Sequence, residues 1–132
     1  MKANEIQIGY WLYYKDQFNA FPFKVESITK KKVGYHAEPN EHRIHYLRLS
    51  ECKPIPLTPE ILEKNGFEYK EGEIGMFGVT TAPHYIGDGI PFEVFCDGNP
   101  YAIWFKEPVD IKYVHQLQHA LRLCGIEKEI EL

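Results

Sequence analysis

Cysteine is scarce in this chain. Cys52, Cys96 and Cys124 lie far apart and form no CxxC pair. That excludes a disulfide framework and a zinc ribbon, and points to reduced thiols in a cytoplasm. Serine is scarcer still. Only Ser27 and Ser50 occur, neither in a Gly-x-Ser-x-Gly setting, so the hydrolase nucleophile elbow is absent. The phosphate-cradling motifs GxGxxG and GxxxxGKS/T are absent too, and Gly87 and Gly89 stand isolated. No apolar run approaches the ~18 residues of a membrane helix. The opening MKANEIQIGYW lacks the apolar core of a signal peptide. The expectation is a cytoplasmic protein with no membrane segment, no cofactor and no catalytic motif.

What the chain does hold is core material. Hydrophobic residues make up 44% and aromatics 14% of 132 residues, ample for a packed interior. The length suits one domain, or two small lobes sharing a core. The net charge of −4 hides an asymmetry. Met1–Pro56 carries nine Lys/Arg against six Asp/Glu, a surplus of three. Leu57–Leu132 carries six against thirteen, a deficit of seven. An acidic whole argues against generic coating of nucleic acid, while a local basic face on the first lobe stays open.

The clearest local code is KPIPLTPEILEKNGF at Lys53–Phe67. Thr58 is a helix N-cap, Pro59 suits the first helical position, and Asn65-Gly66 ends the helix with Gly66 left-handed. Phe67 then packs back on Leu62. Pro54 and Pro56 keep the approach extended.

Upstream, short strands are expected. Ile6 and Ile8 alternate with polar neighbours, and Tyr10–Tyr14 is apolar on both faces. Further strands are read at Pro22–Thr29, Val33–Ala37, His42–Leu49 and Glu51–Ile55, with Lys30–Lys32 a turn or strand edge. On the fourth, Ile44 and Tyr46 share one face, with His45, Leu47 and Leu49 on the other. Downstream, a turn at Glu68–Gly72, a strand at Glu73–Thr80 and a loop at Thr81–Gly89 precede a hairpin of Pro91–Cys96 with Tyr101–Lys106. Pro108–Gly125 reads as a helix capped by Asp110, with an apolar stripe from Tyr113 to Cys124. Glu127–Leu132 reads as a frayed tail or an edge strand. The fold class is therefore α+β. An SH3-like small β-barrel over 1–56 is followed, over 57–132, by a helix, a three-stranded antiparallel sheet and a C-terminal helix.

Three constellations have residue types that could carry chemistry. His115 and His119 have metal-ligand spacing on a helix. Gln116 stands where a zinc protease has glutamate, so boundary histidines are the preferred reading and no metal is expected. Lys30, Lys31, Lys32, Arg43, His45 and Arg48 form a candidate anion or nucleic-acid patch. Trp11, Tyr13 and Tyr14 are candidate stacking rings, although core placement is the plainer reading. Tyr85, Asp88 and Trp104 are candidate ligand-binding residues at the lip of a site between the lobes. Cys96, at a strand end, reads as a small buried hydrophobe.

Three blocks carry a resemblance: IGYWLYY at Ile8–Tyr14, PIPLTPEILEKNGF at Pro54–Phe67 and IKYVHQLQHALRLCG at Ile111–Gly125. They are similar to the signature blocks of a family of small proteins from gut anaerobic bacteria and their prophages or mobile elements. His119-Ala120 stands where that family usually has Asn-Leu, and the segment around Thr80–Gly89 is longer. The resemblance implies a cytoplasmic protein from a phage-derived or mobile region, and brings no activity with it. The functional expectation is a non-catalytic binding module. Its ligand is a protein or small molecule, the alternative is a nucleic-acid-binding accessory using the basic first lobe, and a homodimer is left open.

Overall fold

The computed structural model describes residues 3–71, 83–96, 101–104 and 108–132. They form a mixed α+β fold with two α-helices and antiparallel sheets. The chain divides into two compact units: Met1–Ile55 with Tyr113–His115, and Pro56–Lys112 with Gln116–Leu132. No helix among the described residues is long and apolar enough to cross a membrane.

The first unit holds six strands: β1 Trp11–Lys15, β2 Ala20–Lys24, β3 Ser27–Ile28, β4 Lys32–Tyr35, β5 His45–Arg48 and β6 Cys52–Pro54. They pair as two sheets, in the orders β2-β1-β6 and β3-β4-β5. Between β2 and β3 the chain keeps bonding without a loop. Val25 N–H donates to Tyr10 O at 2.9 Å, and Glu26 N–H to Gly34 O at 2.8 Å. One segment thus serves the first sheet and then the second. The closed barrel expected from sequence is not formed, because no sheet here closes on itself. β3 has only two residues and β6 three, too few to extend either ladder around a barrel.

The core of this unit follows strand alternation. On β1, Leu12 and Tyr14 are buried while Trp11 and Tyr13 are half-buried. Lys24 Nζ lies 5.4 Å from the Trp11 ring centroid, so that ring already has a cation over it. Phe23, Val25, Val33, Leu49 and Cys52 join Leu12 in one cluster, with Phe21, Tyr35 and Leu47 packed against it. Pro22 sits on β2, an edge strand, where its missing N–H breaks no ladder bond.

The second unit is built on one five-stranded antiparallel sheet. Its strands are β7 Phe67–Lys70, β8 His84–Gly87, β9 Val94–Phe95, β10 Tyr101–Trp104 and β11 Pro108–Ile111, in the order β11-β10-β9-β8-β7. Three expectations are corrected here. The segment read as a turn after Phe67 is β7. The loop read at Thr81–Gly89 contains β8, whose Tyr85 pairs with Tyr69 and Val94. The helix read from Pro108 starts at Val114, since Pro108–Ile111 is a strand on β10. Val109 and Ile111 are β-branched and fit a pleated surface better than a helix turn. Asp110 therefore lies opposite Ala102 and caps nothing. Gln116 Oε1 accepts from Lys112 N–H at 2.7 Å instead, satisfying a backbone donor at the helix start. The expected strand Glu73–Thr80, the turn at Asp97–Pro100 and Phe105 lie outside the described residues.

Both helices stop as written in the sequence. In α1, Pro59–Lys64, Thr58 Oγ1 accepts from Ile61 N–H at 3.3 Å. Gly66, at φ 85°, closes on Glu63 O at 3.1 Å. In α2, Val114–Leu123, Gly125 N–H meets Arg122 O and Ile126 N–H meets Leu121 O, each at 2.9 Å, a Schellman closure. The tail is not frayed. Asn65, buried at the end of α1, donates from Nδ2 to Ile61 O at 2.7 Å and to Glu131 O at 2.6 Å, and accepts from Glu131 N–H at 2.7 Å. Lys64 Nζ donates to Leu132 O, and Ile130 is buried.

Two stability outcomes follow from these ends. A Cβ on Gly66 would meet nothing nearer than Lys128 Nζ at 3.9 Å, so Gly66→Ala should cost ~1–2 kcal/mol from backbone conformation alone. Gly66→Asn should cost less, because Asn tolerates the left-handed region; equal losses in urea titrations would refute this. Asn65→Ala should cost about 2–3 kcal/mol at ~1 kcal/mol per lost bond. It should also raise amide exchange at Glu131, and an unchanged rate there would show that the clip is not holding the tail.

Candidate functional site

The hairpin from β3 to β4 turns on Thr29–Lys32. Thr29 N–H donates to Lys32 O at 2.8 Å, and Thr29 Oγ1 accepts from Lys32 N–H at 3.1 Å. Lys30 and Lys31 are left as the exposed tip. After β5 the chain makes a 3₁₀ turn, Leu49–Glu51, and Leu49 N–H donates to Lys31 O at 2.9 Å. That bond ties the lysine tip to the end of β5. Between them runs a groove of about 400 Å³ lined by Lys30, Lys31, Lys32, Arg48, Leu49 and Ser50. Leu49 is buried and gives the groove an apolar patch; Ser50 adds a hydroxyl.

The electrostatics of this groove are one-sided. Lys32 and Arg48 stand directly opposite on antiparallel β4 and β5. Like charges in that position destabilise a sheet. Among the described residues, none of these four cations is ion-paired. The carboxylates of this unit that form bonds form them elsewhere. Glu51 Oε2 accepts from the Tyr14 hydroxyl at 3.1 Å. Asp16 Oδ2 accepts from the same hydroxyl at 2.7 Å, while its Oδ1 accepts from Phe18 and Asn19 N–H at 2.8 and 2.6 Å. Those bonds hold the Asp16 carboxyl below the usual range, the Tyr14 contact contributing most. The two carboxylates push the Tyr14 phenol well above its ordinary value, chiefly through the Asp16 bond.

Two expected members of the patch lie elsewhere. His45 points to the other face of β5 from Arg48, as alternation requires. Its Nε2 lies 2.9 Å from Glu41 Oε1, and its ring centroid is 5.4 Å from that of Tyr35. The His45 bond also holds the Glu41 carboxyl below its usual range. Arg43 precedes β5 in an exposed loop and does not line the groove. For Tyr46 the sequence sets only its face, the one opposite His45 and Leu47, and the structure makes that face the outer one. Tyr46 is 53% exposed and shares the outer face with Arg48, while Leu47 packs on the core. The signal was in HRIHYLRL, where Tyr46 and Arg48 are two apart.

The other candidate residues are spread over β8, the turn after it and β10. Tyr85 is 5% exposed, its ring edge-on to Tyr69 at 5.4 Å, and burial raises its phenol pKa. Asp88 is exposed in the turn after β8. Trp104 is on β10, and β9 separates β10 from β8. His115 is buried with its ring stacked on Tyr113 at 5.9 Å, and His119 is exposed. Among the described residues, no cluster of three His, Cys, Asp or Glu could hold a metal ion. Cys52 is buried, and burial raises its thiol to about 11; Cys96 and Cys124 are half-buried, and none of the three forms a disulfide. One residue that sequence reasoning passed over is Phe18, 85% exposed on the turn fixed by Asp16.

No protein-family model, curated protein or solved structure matches this chain.

The Asp16 turn has a pH signature. Its folded pKa lies below the unfolded one, so the unfolded chain takes up the proton first. The turn's contribution is full above the ordinary carboxylate pKa and is lost as pH falls through the folded value. Asp16→Asn keeps an acceptor for the two amides yet cannot titrate. The urea midpoint of the wild type should therefore fall more steeply than that of D16N below about pH 4. Parallel pH profiles would contradict the assignment.

Proposed function

We propose that this protein is a non-catalytic binding module whose first unit grips a nucleic-acid backbone in the lysine–arginine groove. One observation carries the reading: four cations without carboxylate partners surround a groove, two of them forced opposite each other across a ladder. A cleft lined by one sign of charge concentrates counter-ions and steers anionic ligands. Lys and Arg are the side chains that neutralise phosphates. The charge is local, since the chain as a whole is −4. That favours a defined contact over coating. The reading at Tyr85, Asp88 and Trp104 has less support, because a buried phenol cannot form the lip of a site.

The scaffold supports this role. In the first unit one segment is shared between the two sheets, a 3₁₀ turn follows β5, and β6 returns to β1. Such small β folds expose loops and one sheet face for partners. Three cysteines outside any disulfide suit a reducing cytoplasm. The resemblance to prophage and mobile-element proteins suits a nucleic-acid accessory.

Binding of labelled DNA and RNA, followed by anisotropy across a salt series, tests the proposal. Neutralising three or four phosphates should give a slope of log affinity against log salt of about −2 to −4. Absence of binding at low salt, or equal competition by polyglutamate, would overturn it. Lys32→Glu sharpens the test. It should weaken binding and flatten the slope, yet raise stability by roughly 0.2–1 kcal/mol through a new cross-strand pair with Arg48. A variant that loses both stability and binding would show that Lys32 serves the fold instead.

A further inference from the structure

Tyr46 does not line the groove, but it is a large side chain on the face shared by Lys32 and Arg48, and neither the core nor the phosphate contacts account for it. Exposed aromatics scattered singly are ordinary. Tyr46 differs by its register. It lies opposite Gly34, two pairs along from Lys32 and Arg48, and alternation puts all four positions on one face. Gly34 gives that face a flat seat. A Cβ there would stand 2.6 Å from Ile44 Cγ2 and 3.2 Å from Tyr46 Cε1, so the ring lies across bare backbone. Two strand steps, about 6.6 Å, separate the Cα atoms of Tyr46 and Arg48. A half-exposed ring on a flat seat with cations beside it has the make-up of a base-stacking platform with a phosphate grip.

We infer that the groove takes single-stranded nucleic acid, one unpaired base stacking on Tyr46 while Lys32 and Arg48 hold the phosphates beside it. This rests on the phosphate-binding reading of the groove and names its substrate class. A duplex keeps its base faces stacked inside, where a ring on a flat sheet cannot reach them.

The test compares a short oligothymidylate, the matching oligouridylate and a duplex of equal length on wild type, Y46A, Y46F and F18A. The single strands should bind wild type more tightly than the duplex. Y46A should lose roughly tenfold for the single strands with the salt slope unchanged, since the phosphate contacts remain. Y46F should bind like wild type, because the ring and not the hydroxyl is used. F18A, an exposed ring away from the groove, should also match wild type. Circular dichroism melts confirm that the surface variants fold. Equal affinity of Y46A and wild type, or preference for duplex, would overturn the stacking while leaving the phosphate groove intact. An equal loss in F18A would reduce the effect to general surface hydrophobicity. Failure of wild type to bind any of the three would remove the groove reading as well.

Discussion

Lys32 and Arg48 face each other on the outer side of the β4–β5 ladder because Val33 and Leu47 face each other on its inner side. In an antiparallel pair, successive residues alternate between faces, and a slip of one residue would turn every side chain over. Val33 is fully buried in the core cluster and Leu47 packs against it. Burying a valine or leucine stabilises by ~1.5–3 kcal/mol. Two like charges opposed across a ladder cost roughly 0.2–1 kcal/mol. The core wins, and the two cations are held together on the outer face with nothing of opposite sign to relieve them. The threonine turn and the bond from Leu49 to Lys31 then bring Lys30 and Lys31 to the same place. Charge crowding is thus a consequence of hydrophobic register, and a ligand phosphate is what would relieve it.

Three carboxylates of the first unit are engaged away from that pair. Glu41 is engaged by His45 and the Ala37 amide, Asp16 by Tyr14 and two turn amides, and Glu51 by Tyr14. Each carboxylate fixes a turn or loop near its own strand. Glu51 directly follows Ser50 of the groove, yet its carboxylate is bonded to Tyr14. Local hydrogen bonds to charged groups are worth ~1.5–3 kcal/mol each, more than an exposed ion pair with a lysine. The acidic side chains therefore settle on backbone and hydroxyl donors.

Much of this was legible in the residues. The span of α1 could be read because Thr58, Pro59 and Gly66 each act locally, and local codes need no tertiary context. The end of α2 at Gly125 was legible for the same reason. Its start was not. Val109, Asp110 and Ile111 fit a helix by apolar spacing and a strand by β-branching, and only pairing with β10 decides between them. β7 and β8 were missed because four-residue strands bounded by turn residues leave no period to detect. Of the basic patch, the lysine turn and Arg48 could be foreseen, and alternation alone separates His45 from Arg48. The partner of His45 could not be foreseen, because it depends on Glu41 folding back in the loop before β5. That Tyr46 lies on the opposite face from Leu47 is legible from alternation, but which face is the outer one is decided only by Leu47 packing on the core.

The most direct measurement of the central claim is a ¹⁵N-amide chemical-shift map of the whole chain, titrated with a short single-stranded oligonucleotide at low salt. The expected result is a set of shifts confined to residues 30–34 and 46–50, with the acidic second unit silent. Shifts centred on Tyr85, Asp88 and Trp104, or none at saturating oligonucleotide, would contradict it.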